Sequence, residues 1–140
     1  MSHIEKLIEI INYCNDELWY EIQIDKAIEV LDGYSDSDWD EIYNDIPVED
    51  DIINIRLLEC MFALNEKFPA RHIAKFADNA SEHVLFVLFF NLNDQYIRKM
   101  EQDSLKMILK KTQKAFKDTN ISQSKTYIKL IEEIEKYCMD

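Results

Sequence analysis

Glycine occurs once (Gly33) and proline twice (Pro47, Pro69) in 140 residues, against usual shares of about 7% and 5%. So few turn residues argue against a β-sandwich or barrel. A single glycine removes the P-loop, the dinucleotide-binding fingerprint and the G-x-S-x-G nucleophile elbow. Cysteine is scarce as well. Cys14, Cys60 and Cys138 are odd in number and lack a C-x-x-C pair, which is the usage of a reducing cytosol with thiols as small apolar fillers. Long apolar runs are missing. The longest, Val84 to Phe90, is seven residues, where a membrane span takes about 20. The start, Met-Ser-His-Ile-Glu-Lys, has no apolar h-region and does not read as a signal peptide. Positive charge is in short supply too: 16 Lys plus Arg face 28 Asp plus Glu, for a net −12. A non-specific nucleic-acid binder needs the opposite field. These absences lead us to expect a soluble cytoplasmic protein that contacts neither membrane nor nucleic acid directly.

What is present is helical periodicity. Ile4, Leu7, Ile8 and Ile11 fall at i, i+3, i+4 and i+7, one face of a helix. A second stripe runs through Leu18, Ile22, Ile24, Ala27, Ile28 and Leu31, with Asn15 as N-cap and Gly33 as C-terminal cap. Ser37 can cap a short helix carrying Trp39, Ile42, Tyr43 and Ile46, which Pro47 stops. From Asp50 or Asp51 a longer helix is predicted to about Phe68, after which Pro69 opens the next. Asp78-Asn79 breaks that one, and Ser81-Glu82 starts the apolar segment ending near Asn91. A basic helix is predicted from about Asp94 to Lys117, a loop over 118–124, and a last helix from Lys125 to Tyr137. The expected fold is all-α: a single compact multi-helix domain over 1–140, with an irregular stack of helical hairpins as the alternative layout.

Charge is uneven along the chain. Residues 1–70 hold 18 acids and four bases, a net −14; residues 71–140 hold 10 acids and 12 bases, a net +2. Residues 16–51 alone carry 14 acids against Lys26. Self-repulsion on that scale opposes compaction, so a solvated face normally mixes the signs. On one reading the acids keep the protein soluble and cap helix starts, since first turns favour acids. On the other they form a surface built to meet a basic partner. Trp19, Tyr20, Tyr34, Trp39 and Tyr43 are interleaved with those acids, and Trp and Tyr are frequent interface anchors. The candidate partner-binding residues are therefore Tyr34, Asp36, Asp38, Trp39, Asp40, Glu41, Tyr43, Asp45, Glu49, Asp50 and Asp51, with 16–29 as a possible extension. Trp19 is expected in the core, and Trp39 or Tyr34 at the surface. A stripe of Arg98, Lys99, Lys106, Lys110, Lys111, Lys114 and Lys117 reads as the solvated face of the basic helix.

Catalytic and metal chemistry find little footing. Asp36-x-Asp38-x-Asp40 begins like a calcium loop, but positions six and twelve are Glu41 and Pro47 where Gly and a bidentate Glu are needed. His3, His72 and His83 form no H-x-x-x-H pair, so no zinc motif is legible. Neither an enzyme nor a cofactor is expected.

An acidic, all-helical, single-domain chain with an acid-and-aromatic stretch at Asp36-Ser-Asp-Trp-Asp-Glu41, followed by Tyr43 and flanking acids, resembles the bacterial immunity proteins of contact-dependent growth inhibition and related polymorphic toxin systems. The resemblance implies one-to-one binding of a cognate basic toxin domain, often a nuclease. It transfers no site residues, because no family motif is matched position by position. Two other functions fit the same residues: a nucleic-acid mimic whose carboxylates imitate phosphates, and a helical adaptor that binds through an apolar groove.

Overall fold

The computed structural model describes residues 3–12, 15–45 and 50–138, the Tyr43 side chain excepted. Cys14, Ile46, Pro47 and Glu49 lie outside them. Among the described residues all regular structure is helical. α1 spans His3–Asn12, α2 Asp16–Leu18 and α3 Ile24–Asp32, and a π turn, Trp19–Gln23, joins α2 to α3. Then come α4 (Asp36–Asp45), α5 (Asp51–Ala63), α6 (Ala70–Asp78), α7 (Glu82–Asn91), α8 (Asp94–Lys99), α9 (Gln102–Phe116) and α10 (Lys125–Cys138).

Short polar side chains set the starts. Asn15 accepts from the Leu18 N–H at 3.0 Å, Asp50 from Ile53 at 3.1 Å and Ser81 from Val84 at 3.3 Å, each satisfying one orphan donor of a first turn. Three boundaries depart from expectation. α4 begins before Ser37, because Ser35 and Asp38 form a reciprocal capping box: the Ser35 N–H donates to Asp38 Oδ2 at 2.9 Å and the Asp38 N–H to Ser35 Oγ at 3.2 Å. α5 stops at Ala63, since Asn65 takes a φ of +49°, a left-handed conformation that Asn tolerates better than most residues. The long basic helix is two helices. Met100 is extended (φ −92°, ψ 147°) and buried, so the chain breaks where that side chain turns into the core.

Gly33 follows α3 as expected, yet without the left-handed backbone that usually calls for glycine there: its φ is −89°. An added Cβ would meet only the Val30 carbonyl oxygen, at 3.6 Å. Gly33→Ala is therefore expected to stabilise the protein by about 0.4–1 kcal/mol through a less flexible unfolded chain. Urea unfolding checks this; a loss of stability would point to strain at the α3–α4 turn.

Two helices are apolar on nearly every side and so sit at the centre. α5 buries Ile53, Leu57, Leu58, Cys60, Met61 and Phe62, while α7 buries Val84, Leu85, Leu88 and Phe89. They pack on each other. α1 and α3 cover one side of α5, α4 bridges α1 and α6, and α9 lies against α6, α7 and α10. One core thus runs from Ile4 to Ile134. Burial pushes the Cys60 thiol up to about 12, so it stays protonated and acts as an apolar filler. Among the described residues no helix is long and apolar enough to cross a membrane.

Candidate functional site

Among the described residues, two of the five acids of α4 face Arg or Lys side chains within the molecule. α6 packs beside α4, which sets Arg71 3.5 Å from Asp36 and Lys75 3.8 Å from Asp40. Asp38 is taken up by the Ser35 cap, and its carboxyl is held below the usual range by the Ser35 backbone N–H and hydroxyl; His3 lies 3.9 Å away. Asp50 caps α5. Asp51 accepts from the Ser81 hydroxyl at 2.8 Å and lies 3.3 Å from His83 Nδ1, tying α5 to α7. Of the candidate residues, Glu41 and Asp45 are exposed and have no ion pair among the described residues. Glu49 and the Tyr43 side chain fall outside the description.

The aromatic expectations divide. Trp19 is fully buried, as expected. Trp39, expected at the surface, is only 7% exposed. It stacks on His72 (centroids 5.5 Å apart, planes at 21°) and takes the edge of Tyr34 at 5.7 Å. The cause is register: Trp39 and Ile42 share the α4 face that meets α1 and α6, whereas Asp40 and Glu41 point outward. Tyr34 is half-buried and donates to the His3 carbonyl at 2.9 Å, closing the α3–α4 turn onto α1. Its hydroxyl is pushed up to about 12 by burial, then by Asp38 and Glu41.

His72 is buried beneath this acid–base seam, and its pKa is lowered chiefly by burial and next by Arg71, with Asp40 working against both. Between that lowered value and the ordinary value of about 6.5 the unfolded chain holds the extra proton. His72 thus contributes stability above pH ~6.5 that is lost as pH falls towards its folded pKa. Comparing thermal unfolding of wild type and His72→Phe from pH 7 to 5 isolates the effect, because the ring stack is kept. The variant should lose less on acidification. Parallel curves would mean His72 is not the titrating group.

A cleft of about 440 Å³ opens beside the seam, with Asp40, Asn44, Asn54, Lys75, Phe76 and Asp78 in its walls. Among the described residues Asp40 is the one sequence-derived candidate that lines it. Among the described residues, no three His, Cys, Asp or Glu side chains are placed to hold a metal ion together.

The 16–29 extension has a different character. Trp19, Gln23, Ala27 and Leu31 face the core at a strict spacing of four. In an uninterrupted α-helix such a row would drift by about 40° at each step. The π turn opposes that drift: the Ile24 N–H donates to the Trp19 carbonyl five residues back, widening one turn. The same correction straightens the opposite row. Glu17, Glu21, Asp25 and Glu29 are all exposed, two positions out of phase with the buried set. None has an ion pair among the described residues. Beside this ridge lie Leu18 (39% exposed) and Ile22 (47%) on one flank and Tyr20 (58%) on the other.

Beneath the π turn sits a residue that the sequence reading did not single out. Arg56 is buried (5% exposed) and donates to the Ile11 carbonyl at 2.6 Å and to Asp16 at 3.0 Å; its guanidinium lies 5.2 Å from the Trp19 ring centre. Glu59, one turn on, is half-buried, and burial raises its carboxyl against the pull of Tyr20, Trp19 and Arg56. A signal for Arg56 existed: it is the sole base between Lys26 and Lys67 and lies within an apolar run, where a cation needs partners.

The basic stripe is dispersed. Arg98 donates to the Tyr137 hydroxyl at 2.7 Å, Lys99 to the Asn65 carbonyl at 3.0 Å, and Lys111 to the Ala77 and Asp78 carbonyls at the end of α6. Lys106, Lys110, Lys114 and Lys117 remain as an exposed face. No protein-family model matches the chain, and no curated protein or solved structure shows significant similarity to it.

Proposed function

We propose that this is a binding protein of the immunity type, which captures a basic toxin domain one to one and blocks it through an acidic surface. The observation that carries the proposal is the exposed row Glu17, Glu21, Asp25 and Glu29, without ion pairs among the described residues in a chain of net charge −12. Glu41 and Asp45 extend the negative field. Carboxylates left in water keep their long-range attraction and steer a cationic partner, raising association rates by about 10- to 1,000-fold at low salt. The α4 acids beside Arg71 and Lys75 contribute less, since their neighbours partly cancel them.

The test is capture from nuclease-treated lysate of the source cells, elution by a salt step, and assay of the captured protein with and without the purified chain. One stoichiometric basic protein whose nuclease or other toxic activity the chain suppresses is the expected result. Several nucleic-acid-binding proteins, displaced by free DNA or RNA, would replace the proposal with phosphate mimicry. Capture that is indifferent to salt would favour an adaptor role.

A further inference from the structure

Resting on the partner-binding proposal, we infer that the docking centre is the face of the α2–π–α3 helix, not α4, and that its occupant is an amphipathic basic segment of the partner. Three arguments converge on this face. First, charge: four exposed carboxylates stand in one row, whereas two of the α4 acids already have cationic neighbours in α6 and a third, Asp38, is taken up by the Ser35 cap. Second, apolar exposure: Leu18, Tyr20 and Ile22 are half of the protein's large exposed hydrophobic residues among those described, gathered within five positions. Third, rigidity: the row stands on a helix anchored below by Trp19 and Arg56, so little ordering entropy is lost on docking.

These features select the partner's chemistry. A purely cationic strand would use the ridge and leave Leu18 and Ile22 in water. A segment with Lys or Arg on either side of an apolar row covers both, with cations on Glu17, Glu21 and Asp25 and apolar side chains on Leu18 and Ile22. Helical spacing in the occupant would match, because helix-in-groove partners present such rows at i, i+3 and i+4.

Two synthetic peptides of equal charge test this on the full 15N-labelled chain: an oligolysine, and a helical peptide with Leu and Lys at i, i+3, i+4 spacing. The amphipathic peptide is expected to bind at least tenfold more tightly, with amide shift changes centred on 16–29. Leu18→Ser with Ile22→Ser should abolish the tenfold difference and leave the oligolysine affinity alone. Both side chains are substantially exposed, so folding is checked simply by circular dichroism. Glu21→Lys with Asp25→Lys should weaken both peptides. Equal affinity for the two peptides, or shifts centred on Glu41 and Asp45, would overturn the placement while leaving the partner-binding proposal standing. Failure of both peptides to bind at low salt would remove that proposal itself. Concentration-dependent shifts linking 16–29 to the α9 lysines, without peptide, would make a second copy of this chain the occupant and overturn the inference.

Discussion

Arg56→Met is expected to lower the unfolding free energy by about 2–4 kcal/mol, read from urea denaturation. The side chain holds three things at once: the last turn of α1 through the Ile11 carbonyl, the start of α2 through Asp16, and the face of Trp19. Methionine keeps most of the volume and the flexible stem, so the loss isolates polar function. A buried carbonyl left without its donor costs about 1–3 kcal/mol, and a desolvated cation–π contact adds up to about 2. The partner aspartate should matter far less. Asp16 is 87% exposed, and an ion pair with one end in water is worth roughly 0–1 kcal/mol. Asp16→Asn is therefore expected to change stability by less than ~1 kcal/mol. Equal losses for the two variants would show that the ion pair, and not the carbonyl and the ring, gives Arg56 its importance. A small loss for both would mean that another donor reaches Ile11.

Trp39→Ala should cost about 3–5 kcal/mol of stability, the range for truncating a large buried aromatic, with only a secondary effect on partner binding. Trp39 fills the junction of α4 with α1 and α6 and supports the rings of His72 and Tyr34. Phenylalanine keeps a stacking surface, so Trp39→Phe should lose markedly less. The two roles open to Trp39 separate cleanly in one experiment. An interface anchor truncated to alanine weakens the complex and leaves the free protein's unfolding unchanged; a core residue does the reverse. A Trp39→Ala protein of wild-type stability would restore it as an interface candidate.

The contrast between the two tryptophans shows how far the sequence could be read. Both lie among acids, and composition cannot separate them. The apolar stripe legible in the sequence runs through Leu18 and Ile22, which the structure leaves 39% and 47% exposed; the π turn instead brings Trp19 and Gln23 into line with Ala27 and Leu31 on the core face. α4 is short and carries acids at 36, 38, 40, 41 and 45, so its apolar face is narrow, and Trp39 looked as if it could turn outward. What decided the matter was α6: its cations draw the α4 acids to one side, and its His72 offers a flat partner. That pairing joins residues more than thirty positions apart, and no local pattern encodes it.

The boundaries follow the same division. Asn15 was legible as a cap, and Asp50 and Ser81 as helix starts, because a cap is a local hydrogen bond between a side chain and a nearby backbone N–H. The break at Met100 was not, since the stretch around it has no proline or glycine and remains compatible with helix. Met100 packs into a core assembled from distant segments of the chain, which no local pattern displays. The π turn was equally hidden, although in hindsight the strict four-residue spacing of Trp19, Gln23, Ala27 and Leu31 asks for a turn wider than α.

The all-α fold could be read from the order of residues, since helical period and the near absence of turn residues are local properties of the chain. So could the concentration of negative charge in the first half, because charge is additive along a sequence. Which acids keep their field was decided by the tertiary structure alone. Packing α6 against α4 places Arg71 and Lys75 beside Asp36 and Asp40, and leaves Glu17, Glu21, Asp25 and Glu29 facing water. Electrostatic neighbours are set by distance in space, and that distance exists only once the helices have packed.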